Sequence, residues 1–360
     1  MKRILFVFNH PAFYKVRLLN ELSKYFEIDV IFERRKNKDR NKFFYSESNY
    51  KFNLIPINGI KLGNENFLSF GIKKYLKDNH EKYDFIIMNG YSTIAEMIAI
   101  NYLHKKKIPY YFYINGGIIN FNESKFRKNL KTKFISGASL YFSPDENSNK
   151  YLEYYGVDKN KIKNYIYSTI YKDEIVTSLP SEKEIKEHKK KYNLVDEKLY
   201  ISTGQLIKRK NYLNLIKSWP KDKNKVLLIF GEGKQEKKIR KYLQKNNIQN
   251  IILGGYKSRD YILNEYRFAD GFIFSSNKDI YGHVINEALS QGLNVISTKK
   301  VNASIKLINN KNGYLIDEIN EDNLTLALSK IEKLNKKDSL KTAKENTIEL
   351  MVKSHLKILH

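Results

Sequence analysis

The 360-residue sequence contains no cysteine. Disulfides, thiolate nucleophiles and cysteine-type zinc sites are thereby excluded. Long apolar runs are missing as well: nothing approaches the ~20 consecutive apolar residues that a membrane-spanning helix needs. The opening MKRILFVFNHP has a basic start, but its apolar run covers only residues 4–8. A secretory signal core requires roughly 7–15 such residues, so the segment reads as a buried first strand and the expected location is the cytoplasm.

Acidic residues are also scarce, with 39 Asp and Glu against 65 Lys and Arg, a net charge of +26. Such an excess attracts polyanions, either nucleic acid or an anionic membrane surface. The lysines are scattered along helices instead of forming one block, so compositional drift is the favoured account of the charge, and the two readings are compatible. No Asp-x-Asp motif occurs, and no His, Asp and Glu cluster has metal-ligand spacing. A bound metal is therefore not expected. No short tandem repeat is evident.

What is present is an ordinary globular mixture, 41% hydrophobic and 29% charged, long enough for two cores. Short apolar runs alternate with amphipathic stretches. RILFVF (3–8), EIDVIF (27–32), YDFIIMNG (83–90) and IPYYFYINGG (108–117) read as strands. FYKVRLLNELSKYF (13–26) and STIAEMIAINYLHKKK (92–107) read as helices between them, the first with apolar positions near a 3.6 period. Residues 165–194 break the rhythm with Pro180 and a dense charge run, and read as a linker leading into a surface helix. A second series follows in KLYISTG (198–204), KVLLIFGEG (225–233), NIILGG (250–255), DGFIFSS (270–276) and LNVIST (293–298). This alternation predicts an α/β protein of two doubly wound parallel sheets.

In such sheets ligands bind beyond the carboxyl ends of the strands. In the second half those ends are rich in glycine and polar residues. The richest is SSNKDIYGHVINEALSQGLNVIST (275–298), where Asp279 and Glu287 flank a Tyr281-Gly282-His283 step. A helix is predicted over roughly 284–291, with Gly292 as its left-handed terminator. The amides of Gly282, His283 and Val284 then lie at a helix start, where unpaired N–H groups and the dipole favour phosphate. Glu287, one turn in, is placed to accept from vicinal hydroxyls such as those of a ribose, with Asp279 toward the other end of the same ligand. A second such loop is STGQLIKRKNYLNLIKSW (202–219), whose Lys208, Arg209 and Lys210 enter a helix. Cations there suit a diphosphate.

GQLIKRKN (204–211), GEG (231–233), DGFIFSSNKDIYGHVINEALSQGLNVIST (270–298) and NNKNGYLI (309–316) together resemble glycosyltransferase family four. Their order and spacing match that family's donor-binding half, and the central piece is similar to its E-x7-E signature. The resemblance implies the GT-B architecture, two Rossmann-like domains facing a cleft: an acceptor domain over 1–168, a donor domain over 169–340, and a last helix over 341–360 packing back on the first. It also implies a retaining glycosyltransferase acting on a nucleotide-diphosphate sugar, with UDP the expected nucleotide and no further cofactor. Lys210, Asp279 and Glu287 would be catalytic. Gln205, Arg209, Lys210, Gly282, His283, Val284 and Glu287 would bind the donor. Expected partners are that donor, a glycan or lipid-linked saccharide acceptor, and an anionic membrane at its cytoplasmic face, but no nucleic acid.

The sequence departs from the family pattern in places. Asp279 stands where Glu is usual, and Gln205 where many members carry an arginine. The first half lacks the glycine-rich loop after the first strand, and Asn115-Gly116-Gly117 replaces a common histidine. His10 and Asn115 to Gly117 are the acceptor-side candidates, His10 being equally suited to loop packing. His80, His104, His188, His355 and His360 read as surface residues. Alternatives are a nucleotide-sugar epimerase of the same fold, a non-catalytic transferase-like partner, and a nucleic-acid-binding protein.

Overall fold

The computed structural model describes residues 1–33, 49–62, 66–69 and 71–360. These form two compact units, residues 1–167 with 348–360, and residues 168–347.

The sheet of the first unit contains β1 (Arg3–Phe8), β2 (Glu27–Phe32), β3 (Asn53–Leu54), β6 (Phe85–Met88), β7 (Tyr111–Tyr113), β8 (Leu140–Ser143) and β9 (Ile162–Asn164). A separate antiparallel ribbon pairs β4 (Gly59–Leu62) with β5 (Asn66–Ser69). The sheet order is β3-β2-β1-β6-β7-β8-β9 and every pairing in it is parallel. Parallel strands are covered by helices on both faces and so read as unbroken apolar runs, as β1 does, buried from Ile4 to Phe8. Helix Ile94–Lys106 starts with a capping box, Thr93 accepting from the Glu96 amide while Glu96 accepts from that of Thr93. The last helix is Ile348–Leu359, whose buried positions Ile348, Met351, Val352, His355 and Leu359 follow a helical period.

The second unit holds β10 (Lys198–Thr203), β11 (Lys225–Phe230), β12 (Ile251–Gly255), β13 (Gly271–Phe274), β14 (Val295–Thr298) and β15 (Gly313–Ile316). Their order is β12-β11-β10-β13-β14-β15, again wholly parallel. Tyr200, Leu227, Ile229, Ile273 and Ile296 from four strands share one core with Trp219, Leu324 and Leu328. In each unit the strand order reverses beside the first strand, between β1 and β6 and between β10 and β13. Those are the topological switch points.

Two expectations need correction. Residues 165–194 are anchored, not a loose linker: helix Glu182–Lys189 and the turn after it converge on Glu265, which is fully buried. Glu265 accepts from His188 at 2.9 Å, Tyr192 at 2.7 Å and Lys191. Burial would raise its pKa, but His188, Lys191 and Tyr192 overcome that and hold it down at about 2. His188 is thus an inside partner, stacked on Phe268 at 4.0 Å. His355 is likewise buried, its ring 4.9–5.6 Å from those of Tyr113, Phe142 and Tyr165. His104 is half-buried and bonds the Tyr110 hydroxyl at 2.6 Å. Adjacent lysines disguise these positions, although the apolar spacing of their helices marks the inward face.

Candidate active site

The second switch point gathers the loops after β10 and β13. After β10, residues Lys208–Lys210 make one 3-10 turn and Asn211 takes the left-handed conformation. Helix Tyr212–Lys217 follows. After β13 the loop 275–283 leads into helix Val284–Ser290, and Gly292 has φ +81°, as its terminator role requires. The two loops are stitched together: Ser275 Oγ donates to the Lys210 carbonyl at 2.8 Å and the Asn277 amide to that of Arg209 at 2.9 Å.

This brings Arg209, Lys210 and Asp279 into contact. Asp279 Oδ2 accepts from Lys210 Nζ at 2.5 Å and from Arg209 Nη1 at 2.9 Å. Burial would raise the Asp279 pKa; Lys210 and Arg209 reverse that and keep the carboxyl ionised below its ordinary range. The ammonium of Lys210 also sits 4.4 Å from the Phe274 ring centre, so its position is fixed from two sides. This first cluster holds two cations and one carboxylate.

Glu287 lies in a second cluster. Arg259, at the start of helix Arg259–Phe268, donates from Nε to Glu287 at 2.9 Å and from Nη1 to Glu174 at 2.6 Å. Burial alone would lower the Arg259 pKa; the two carboxylates raise it instead. Here two carboxylates meet one guanidinium. Sequence reading missed the other two members of this cluster. Arg259 lies in YKSRDY, which looks like an ordinary helix start, and Glu174 lies in the apparent linker. Only the Ser258 cap, accepting from the Tyr261 amide, signals that Arg259 opens a helix.

His283 stands between the clusters. Burial pushes its pKa down to about 3, with Asp279 opposing and Lys210 and Arg259 adding to the fall. Its imidazole is therefore neutral at any ordinary pH. Gly282 has φ +103°, and a Cβ there would meet Val301 at 2.7 Å. The glycine is thus demanded by the turn itself, beyond any close approach of a ligand. Gln205 follows β10 on the lysine-bearing loop, and its carbonyl accepts from the Ile207 amide at 2.8 Å.

In the first unit, His10 follows β1 and Asn115 to Gly117 follow β7, with β6 between the two strands. The His10 amide donates to Asn9 Oδ1 at 2.9 Å. A Cβ on Gly117 would lie 2.3 Å from the Tyr151 ring, so this glycine is required by packing. The switch point itself holds a group that sequence reading missed. Lys15 is buried, and its Nζ donates to Asn9 Oδ1 and Asn89 Oδ1, each at 2.9 Å. Nearby, Thr93 Oγ1 donates to buried Glu33 at 2.7 Å. Among the described residues no helix is long and apolar enough to cross a membrane.

Comparison with known proteins agrees with this picture. Residues 184–349 match the family described as glycosyl transferases group 1. An uncharacterized glycosyltransferase of Methanocaldococcus jannaschii is 28% identical over 162 residues, 45% of this chain and 45% of that relative. The match thus spans less than half the length of the relative. The crystal structure of Anabaena HepE in complex with UDP superposes over 100% of this chain and 99% of its own, with a TM-score of 0.77 and 14% identity. The lipopolysaccharide outer core galactosyltransferase WaaB covers 99% and 98%, with a TM-score of 0.69 and 16% identity. Residues 184–349 thus match the group 1 glycosyltransferase family, and the chain as a whole has the GT-B fold.

Proposed function

We propose that this protein transfers a hexose from a UDP-sugar to a hydroxyl of a glycan or lipid-linked saccharide in cell-surface polysaccharide synthesis. The transfer retains anomeric configuration, uses no metal, and takes place at the cytoplasmic face of the membrane. The observation that carries the donor assignment is the opposite charge balance of two clusters at one switch point. Lys210 and Arg209 outnumber Asp279, whereas Glu174 and Glu287 outnumber Arg259. The positive end suits a diphosphate and the negative end suits the hydroxyls of a ribose.

As the bond from the anomeric carbon to the diphosphate breaks, negative charge collects on the departing oxygen. Lys210, Arg209 and the amides of Gly282 to Val284 are the groups that stabilise it. Asp279 Oδ2 now takes both cations, so a diphosphate competes with it directly. The exchange releases the Asp279 carboxylate toward the sugar hydroxyls. Glu287, oriented by Arg259, holds the ribose, and neutral His283 packs between. UDP as the nucleotide is supported by its presence in the HepE complex, and a surface-glycan acceptor by the named activity of WaaB. The support for retention is the family likeness. His10 and Asn115 to Gly117 are the acceptor-side residues of this reading.

A donor screen tests it: thermal protection and hydrolysis with UDP-, GDP-, ADP- and CMP-sugars. A UDP-sugar is expected to protect and to be slowly hydrolysed. If no nucleotide sugar does either, the enzyme reading fails.

A further inference from the structure

Among the described residues, the most exposed large apolar side chain within a helix or strand of the first unit is Phe126, on helix Lys125–Ile135, which also carries the exposed Leu130. Phe126 is 76% exposed and Leu130 43%. Four residues apart, they share one face. Asn129 and Lys133 lie on that same face, with Lys125 and Arg127 on its flanks, all four exposed. Phe121, just before the helix, is also 76% exposed, although the edge of its ring meets Tyr154 at 5.7 Å.

The helix is well built, so this exposure is a stable feature. Ser124 caps it by accepting from the Arg127 amide, while Phe134 and Ile135 anchor its end in the core. Lys128 lies over the Tyr154 ring at 3.8 Å. Lys131 pairs at 2.5 Å with Glu123, the single acid between residues 119 and 136. Lys125, Arg127 and Lys133 make no ion pair among the described residues. At the end of the neighbouring helix, Lys105, Lys106 and Lys107 are exposed too.

We infer that helix Lys125–Ile135, with Phe121, docks on an anionic lipid bilayer, inserting Phe121, Phe126 and Leu130 among the acyl chains while the cations meet the headgroups. Three protruding apolar side chains ringed by cations, with the one acid neutralised, are the composition of an interfacial helix. A nucleic acid would use the cations but leave the aliphatic and aromatic groups in water. This deepens the proposed lipid-linked acceptor by naming the surface that meets its membrane. Vesicle binding needs no donor, so its failure and that of the transferase reading are separable.

The test is flotation of the full chain with phosphatidylcholine vesicles, with and without about one-third phosphatidylglycerol, near ~0.1 M salt where screening is moderate. Binding to the mixed vesicles is expected, and it should drop at least ~10-fold in Phe126→Glu/Leu130→Glu, with circular dichroism and UDP affinity unchanged. Because that variant changes charge as well, Phe126→Trp serves as the second measurement: its emission should shift to the blue on mixed vesicles. Absence of binding, binding without a blue shift, or equal binding by the Glu variant would overturn the proposal.

Discussion

The two sheets share one construction and one kind of switch point, yet they furnish it differently. Around β10 and β13, six charged side chains from five separate stretches, all but Glu287 at least partly exposed, are paired in two clusters of opposite balance. Between β1 and β6, Lys15 is 4% exposed and bonded to two asparagine oxygens. Topology puts polar groups at both places. Burial decides what they do: partly accessible pairs can exchange partners with a ligand, whereas enclosed ones fix the loops around them. The contrast predicts that substitutions at the second switch point change chemistry, and those at the first change stability.

The largest effect is expected at Lys210. Lys210→Ala should lower kcat by about 10²–10³-fold while donor binding changes little, since the ammonium acts where charge develops. Steady-state kinetics would show it, and an unchanged kcat would erase the distinction between the clusters. In the first unit, Lys15→Met leaves the buried Asn89 Oδ1 without its donor, takes one of two donors from Asn9 Oδ1, and removes the cation that opposes the burial-raised pKa of Glu96. A loss of roughly 2–4 kcal/mol of unfolding free energy is expected in denaturant titration, with UDP affinity intact.

His355 sharpens the same point through pH. Burial pushes its pKa from 6.5 down to about 4, against the hydrogen bond to the Met351 carbonyl. Between those values the unfolded chain binds the proton and the folded one does not. Stability therefore falls as pH drops through that window, by up to ~3 kcal/mol for this residue. In His355→Phe the fall should be smaller by that amount. At the second switch point, Glu287→Ala should weaken UDP binding by about 10–100-fold, the value of a charged hydrogen bond. Arg259→Lys should give a smaller loss, seen in KM more than in kcat, because Lys cannot span Glu174 and Glu287 with a planar fork.

Much of the second unit was readable in the sequence. β10, β11, β12, β13 and β14 fall within the expected runs because strands buried on both faces are continuously apolar. β8 and β9 escaped because LYFS and IKN are too short to carry a pattern. Lys210, Asp279 and Glu287 were singled out because a glycine-punctuated loop at a strand end is a local signal. Arg259 and Glu174 were not, because their meaning lies in a contact between residues 85 positions apart. Lys15 was hidden for the same reason: its role depends on Asn89, which only the sheet order brings near. Local chemistry can be read along the chain, whereas the shells that orient it are set by topology.

The most direct test is calorimetric titration of UDP into the wild type, Glu287→Ala and Lys15→Met. The account predicts that the wild type and Lys15→Met bind alike and that Glu287→Ala binds at least ~10-fold more weakly. Equal affinity in all three, or no binding by the wild type, would contradict a donor site between β10 and β13.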